Sequence, residues 1–150
     1  MRTEPPVRAS DIPPEMHGDP ASRMAPVVRW RPRWLLVLAL FFMLMLIVGS
    51  VPGHAQALSA RYGDVLLHAS AYGFMTMLCM HALQAAPALR LWLTIGVIAL
   101  LGLIDESLQS LLPYRNASAL DWCSDIAAAA IVATPMAWHA RLHADNSEAA

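Results

Sequence analysis

A long apolar stretch near the N-terminus constrains this chain more than any other feature. Residues 34–51, WLLVLALFFMLMLIVGSV, are 18 consecutive positions without a charged side chain. The hydrocarbon core of a bilayer is about 30 Å thick, and a helix needs roughly 20 residues to cross it. A surface helix of a soluble protein keeps one polar face, so a run that is apolar on all sides predicts a membrane-spanning helix.

Three later runs have a similar length, at residues 65–83, 87–104 and 120–138. The last is weaker, because it contains Asp121, Asp125 and a stretch of alanines. The chain is 57% hydrophobic and only 14% charged, whereas globular domains average about 25% charged residues. The sequence therefore predicts an all-α fold, a four-helix transmembrane bundle formed by a single membrane domain at residues 34–138.

The two ends of the chain have a different composition from the apolar runs. Residues 1–28 are rich in proline and polar residues and show no apolar period, which predicts a disordered tail. Residues 139–150 form a polar C-terminal end. The net charge of -1 gives no support for a nucleic-acid partner. No Cys/His spacing typical of a metal site occurs, so we expect neither metal nor cofactor; the oligomeric state stays open.

The arginines predict the orientation of the bundle. Five of them precede span 1, join spans 2 and 3, or follow span 4, and so fall on one side: Arg29, Arg31, Arg33, Arg90 and Arg141. Arg61 and Arg115 fall on the other side. Since positive residues concentrate in cytoplasmic loops, both termini are expected in the cytoplasm. Four tryptophans near span ends agree with these boundaries: Trp34, Trp92, Trp122 and Trp138.

A cleaved secretory signal is the alternative reading of span 1. Ala55-Gln56-Ala57 follows the run and matches the A-x-A pattern of a signal-peptidase site. However, more than 30 residues precede the run, and the run exceeds the usual apolar length of about 7–15. We therefore expect span 1 to be retained as a membrane anchor.

A polar stripe opens the second span. Asp64, His68 and Tyr72 are spaced i, i+4, i+8, so a helix presents them on one face. In the predicted orientation they lie in the outer half of the membrane. Because ionisable groups near the hydrocarbon are costly, they usually face the bundle interior or a water-filled cavity.

The outer ends of spans 3 and 4 add further polar residues at the same depth: Glu106, Gln109, Arg115, Asp121 and Asp125. Glu106 is favoured over Asp105, because adjacent helical residues point about 100° apart and Glu106 aligns with Gln109. We expect His68 to contact Glu106 or Asp121, with Asp64 one turn nearer water and Tyr72 one turn deeper. The alternative is that these groups only hydrogen-bond across helices and hold the packing.

The order of these residues resembles the VanZ-like family of small bacterial membrane proteins. The matching positions span residues 34–138 and are Ser50 and Pro52, Asp64, His68 with Tyr72, Glu106 with Gln109, Pro113 with Arg115, and Asp121. The resemblance implies a multi-span protein of the bacterial inner membrane, in a family associated with resistance to the glycopeptide teicoplanin. Two positions differ, since Val65 replaces the family's usual lysine and Asp125 its usual asparagine.

Two classes of function remain open from the sequence. In the first, an enzyme acts on a membrane lipid or a lipid-linked envelope precursor. His68 is then general base or nucleophile, Glu106 the acid, and Asp121 or Asp64 orients the histidine. The predicted binding residues are Asp64, Tyr72, Gln109, Arg115 and Asp125. In the second, a non-enzymatic accessory protein uses the same residues for ligand binding or helix packing; a transporter, which would need oligomerisation, is a third reading.

Overall fold

A computed structural model describes residues 27–115 and 117–148, without the side chains of residues 54, 55, 145, 147 and 148. Within them the helices are α1 (Pro32–Ser50), α2 (His54–Tyr62), α3 (Asp64–Ala82), α4 (Pro87–Ser110) and α5 (Ala119–Glu148). The expected all-α fold is thereby confirmed. The tail predicted for residues 1–28 lies outside the described residues except for its last two positions.

Three helices, α1, α3 and α4, are long and apolar enough to cross a membrane. They coincide with the first three predicted spans. The fourth predicted span begins α5, which has 30 residues and is therefore long enough. Helix α5 is less apolar than α1, α3 and α4, because it contains Asp121, Asp125 and a polar sequence after residue 138. It is therefore not among the helices that are apolar enough to cross a membrane.

Glycines and prolines set the boundaries of the helices. Pro32 and Pro87 stand at the first position of α1 and α4, where the missing N–H costs no helical hydrogen bond. Gly53 and Gly63 flank the short helix α2 with φ angles of 86° and 81°. These left-handed values are easily adopted by glycine, so the chain turns sharply on both sides of α2.

Helix α3 is the centre of the bundle and packs against α1, α4 and α5. Its buried residues include Tyr72, Met75 and Cys79. The alanines that weaken the fourth apolar run have a packing role, because Ala129, Ala133 and Ala137 are buried on one face of α5. Small side chains at this spacing allow helix backbones to approach closely.

A short strand pair ties the far end of the bundle together and was not predicted. Strand β1 (Arg29–Trp30) pairs antiparallel with β2 (Leu83–Gln84), in the turn between α3 and α4. The backbone N–H of Arg31 also donates to the carbonyl of Ala82 at 2.8 Å. The segment that enters α1 is thereby held against the end of α3, opposite the end that carries the polar residues.

Candidate functional site

The start of α3, the end of α4 and the start of α5 meet at one end of the bundle and enclose a group of buried polar side chains. We call this group the polar cluster; it consists of His68, Tyr72, Asp105, Glu106, Gln109, Asp121 and Asp125. Because the three helices run alternately along the bundle, the first turns of α3 and α5 lie at the level of the last turns of α4. The convergence expected from the sequence is therefore present.

The shortest polar contact of His68 is with Asp125. Nδ1 of the imidazole lies 3.2 Å from Oδ1 of Asp125, which is fully buried. A carboxylate oxygen accepts, so Nδ1 carries the proton and Nε2 of the neutral ring keeps a lone pair. Nε2 makes no hydrogen bond to any described residue. Asp125, predicted only as a binding residue, thus orients the histidine that the sequence paired with Glu106 or Asp121.

His68, Glu106 and Asp121 nevertheless lie close together. Each contributes one side-chain nitrogen or oxygen atom to a group whose members are all within 4.8 Å of one another. All three side chains are buried. The sequence predicted a contact of His68 with Glu106 or Asp121; a ring nitrogen of His68 lies within 4.8 Å of an oxygen of each, while its hydrogen bond goes to Asp125. Asp64 is exposed and Tyr72 is buried; their order of depth in a membrane stays a prediction.

Glu106 positions the beginning of α5. Its Oε2 accepts a hydrogen bond from the backbone N–H of Ser118 at 2.6 Å, while Oε1 is buried and has no hydrogen-bond partner. The hydroxyl of Ser118 accepts in turn from the backbone N–H of Asp121 at 3.3 Å, as an N-capping serine does. The carboxylates of Glu106 and Asp121 are therefore brought to the same place through the helix cap.

Asp105 also belongs to the cluster, although the sequence favoured Glu106 over it. It is 5% exposed and accepts a hydrogen bond from the hydroxyl of Tyr72 at 3.2 Å. The 100° between adjacent residues is real, but α4 packs against α3 and α5 on neighbouring sides. Asp105 faces α3 while Glu106 faces the start of α5, so both directions lead into the bundle.

Gln109 and Arg115 connect the cluster to the loop after α4. Both Nε and Nη2 of Arg115 donate to Oε1 of Gln109, at 3.2 and 2.6 Å. The same loop is anchored to the neighbouring elements. The hydroxyl of Tyr114 donates to the carbonyl of Ser50 at 2.6 Å, and the carbonyl of Tyr114 accepts from Nε2 of Gln56 at 2.9 Å. Arg115 is therefore held at the edge of the cluster rather than projecting freely.

Gly102 is a site residue that the sequence interpretation missed. A Cβ at this position would lie 2.9 Å from Oδ2 of Asp125 and 3.1 Å from Cδ1 of Trp122. The glycine therefore allows α5 to place Asp125 against α4. Trp122 fixes the same contact, since its indole N–H donates to the carbonyl of Ala99 at 2.9 Å. A glycine four residues before Glu106 in an apolar helix is the signal that could have indicated this approach.

A cavity of about 190 Å³ adjoins the polar cluster between α1, α2, α3 and α4. Its polar lining consists of Asp64, His68, Asp105, Gln109 and Arg115. Its apolar lining includes Met45 and Val48 of α1, with Leu67 and Ala71 of α3. The lining thus combines groups that bind a polar head with side chains that suit hydrocarbon.

No protein-family model, curated protein or solved structure matches this chain. Its chemistry is therefore read from the polar cluster and the cavity. All eight candidate residues lie in one of these two features, while their catalytic and binding roles stay predictions.

Proposed function

We propose that the protein is a bacterial envelope membrane protein that binds the head group of a membrane lipid or lipid-linked glycan precursor and acts on it. The observation that carries the proposal is the cavity, whose lining combines His68, Gln109 and Arg115 with apolar residues of α1 and α3. Ligand sites combine a mostly apolar lining with a few placed polar groups. An amphipathic molecule with a polar head and an acyl chain fits such a lining.

Membrane insertion would place α5 as the fourth span beside the three apolar helices. Two carboxylates lower the hydropathy of α5, but neither is exposed on its surface: Asp121 is 7% exposed and Asp125 is 0% exposed. Both face the bundle interior, where ionisable groups of membrane helices are normally found. By contrast, Leu36, Leu40 and Leu44 of α1 are largely exposed, as expected for a helix that contacts lipid.

The arginine distribution supports an outward-facing cluster. Positive residues are enriched in cytoplasmic loops. The proposed location is therefore a bacterial inner membrane with both termini on its cytoplasmic side. The polar cluster then lies at the outer leaflet, where envelope precursors are exposed.

The polar lining of the cavity favours a head group that offers both hydroxyl and anionic groups. Arg115 supplies donors, while Asp64, Asp105 and Nε2 of His68 supply acceptors. Arginine is well suited to phosphate or carboxylate recognition. With Val65 on the first turn of α3, Arg115 is the cation of this lining. A sugar or glycerol phosphate combines the required features.

The resemblance to VanZ-like proteins gains support from this arrangement. The positions that carry the resemblance are distant in sequence. In the folded chain, however, one side-chain nitrogen or oxygen each of His68, Glu106 and Asp121 lies within 4.8 Å of the others. Such positions are expected to meet if the resemblance reflects a shared site. We therefore propose membership of that family, with its association with glycopeptide resistance. His68 is the proposed base and Glu106 the proposed acid of the reaction.

The non-enzymatic accessory function also has a specific observation in its favour. The contacts of Tyr72 with Asp105 and of Glu106 with Ser118 join helices. Polar contacts of this kind hold membrane bundles together without chemistry. The buried Oε1 of Glu106, which has no partner, favours a ligand over packing alone.

Lipid analysis of membranes from cells with and without the protein tests the proposal. His68→Ala is the site variant, and His81→Ala is its control, because His81 is an exposed histidine near the other end of α3. A lipid species that changes with the wild type and His81→Ala, but not with His68→Ala, supports the enzyme.

A second variant separates binding from chemistry. Ala71→Phe fills the cavity from its apolar side, so it should displace a lipid that copurifies with the wild-type protein. Loss of that lipid, with an unchanged membrane composition in all strains, supports the accessory function. No copurified lipid and no changed species would contradict both proposals.

A further inference from the structure

We propose that His68, Glu106 and Asp121 bind a divalent transition-metal ion. The three residues come from α3, α4 and α5, and one ligand atom of each lies within 4.8 Å of the others. A nitrogen and two carboxylate oxygens form a facial ligand set that leaves further coordination positions open. No pair among them has a metal-binding sequence spacing, so the group exists only in the folded bundle.

The ligand separations suit a small cation. Ligands at about 2.0–2.2 Å from zinc lie roughly 3.4 Å apart in tetrahedral geometry and about 3.0 Å apart at neighbouring positions of an octahedral site. The observed upper limit of 4.8 Å therefore requires a modest closure.

Unpartnered carboxylate atoms are a second and independent observation. Oε1 of Glu106 is buried without a hydrogen bond. The carboxylate of Asp121 makes no hydrogen bond to a described residue either, but its oxygens are not fully buried. Buried polar groups are nearly always paired, and an exception calls for an explanation such as an ion. A bound cation would provide the missing partner for Oε1 of Glu106 and a counter-charge for Asp121.

The contact between His68 and Asp125 completes the arrangement expected around a metal ligand. Histidines that ligate metals usually donate their other ring N–H to a carboxylate or carbonyl, which fixes the tautomer and the ring orientation. Here Nδ1 faces Oδ1 of Asp125 at 3.2 Å, so Nε2 is the nitrogen available to the ion. Gly102 permits this geometry, because a side chain there would collide with Asp125.

The ligand chemistry favours Zn²⁺ or Mn²⁺ over Mg²⁺ and Ca²⁺. Imidazole suits zinc and other transition ions, whereas sites for Mg²⁺ and Ca²⁺ are built from oxygen ligands. His68 also lines the cavity, so an open position on the ion is reached from there. With the ion bound, His68 and Glu106 act as its ligands in place of the base and acid roles proposed for the metal-free site, and a phosphate oxygen of the head group occupies the open position; this last step rests on the proposed function, but metal binding itself does not.

Calorimetric titration of the full-length protein in detergent, after removal of metal with a chelator, tests the site. His139 and His143 form an exposed pair with their Nε2 atoms 3.1 Å apart, which is an obvious adventitious zinc site. All measurements are therefore made in a His139→Ala/His143→Ala background. We expect one equivalent of Zn²⁺ or Mn²⁺ to bind, and Mg²⁺ at least about 100-fold more weakly.

Near-isosteric variants identify the ligands while keeping the fold. Glu106→Gln and Asp121→Asn should each weaken binding by about 100-fold or more, because removing even an outer-shell partner costs about 10–100-fold. Ser107→Ala, at an exposed position next to Glu106 on α4, should leave the affinity unchanged. Circular dichroism verifies folding, and the metal should raise the melting temperature of the background protein but not that of Glu106→Gln.

The metal site would be overturned if the folded His139→Ala/His143→Ala protein bound no equivalent of Zn²⁺ or Mn²⁺. It would also be overturned if Glu106→Gln and Asp121→Asn both left the metal affinity unchanged. The titration contains no added lipid. A metal that binds without any effect on membrane lipids would therefore contradict only the proposed function.

Discussion

The hydroxyl of Tyr72 donates a hydrogen bond to Asp105 at 3.2 Å and joins two helices across 33 positions of sequence. Both side chains are buried. The contact lies one helical turn deeper than His68, so it closes the polar cluster towards the apolar core. Its existence shows that α4 contributes two adjacent acids to the bundle interior, each facing a different neighbouring helix.

Loss of this contact should destabilise the bundle. Tyr72→Phe removes the donor and leaves a buried carboxylate oxygen of Asp105 without it, at a cost of about 1–3 kcal/mol. Equilibrium unfolding in mixed micelles measures the change. Tyr62→Phe is the control, because Tyr62 is half-exposed and should show no comparable loss. Equal stability of the two variants would show that the hydrogen bond contributes little.

Substitution of Asp125 should distinguish its acceptor role from its charge. Asp125→Asn keeps an oxygen that accepts from Nδ1 of His68, so the free energy of unfolding should fall by no more than about 1 kcal/mol. Asp125→Ala removes the acceptor from a fully buried position and should cost about 2–3 kcal/mol. Unfolding of both variants under the same conditions gives the comparison. A larger loss for asparagine than for alanine would contradict the proposed role.

The close approach of α4 and α5 at Gly102 predicts a strong position dependence of glycine substitution. Gly102→Ala places a Cβ 2.9 Å from Oδ2 of Asp125, and such overpacking costs about 1–3 kcal/mol. Gly96→Ala, in the same helix, meets no atom within 4 Å. It should be neutral or stabilise by roughly 0.5–1 kcal/mol, because alanine favours the helix. Thermal unfolding of the pair decides whether the contact is as tight as described.

Fusions to alkaline phosphatase test the proposed orientation. The enzyme is active only outside the cytoplasm, so a fusion after Leu112 should be active and a fusion after Arg141 inactive. The arginine distribution is the physical reason. The reverse result would place the polar cluster on the cytoplasmic side and remove the argument for an outer-leaflet ligand.

Helix α1 should remain part of the protein. Its Leu38 is buried in the core, and the rings of Phe41 and Phe74 pack edge to face with centroids 4.9 Å apart. Removal of α1 would expose these surfaces of α3. Intact-mass measurement should find the chain uncleaved, and a species beginning at Leu58 would show that the A-x-A site is used.

Composition and spacing were sufficient for the local features of this protein. Runs of apolar residues predicted three helices at the right places, because helix formation and exclusion of charge depend on neighbours along the chain. The i, i+4, i+8 spacing of Asp64, His68 and Tyr72 predicted one face for the same reason. The convergence of α3, α4 and α5 followed from the alternating direction of consecutive helices.

The pairings within the cluster depended on tertiary structure. The rotation of each helix about its own axis determines which of Asp121 and Asp125 contacts His68. The same rotation determines whether Asp105 faces the bundle interior. That rotation is set by packing, through Gly102 and the alanine face of α5, and a sequence period does not specify it between helices. The arrangement of His68, Glu106 and Asp121 within 4.8 Å has no spacing motif for this reason, since its residues become neighbours only when three helices pack.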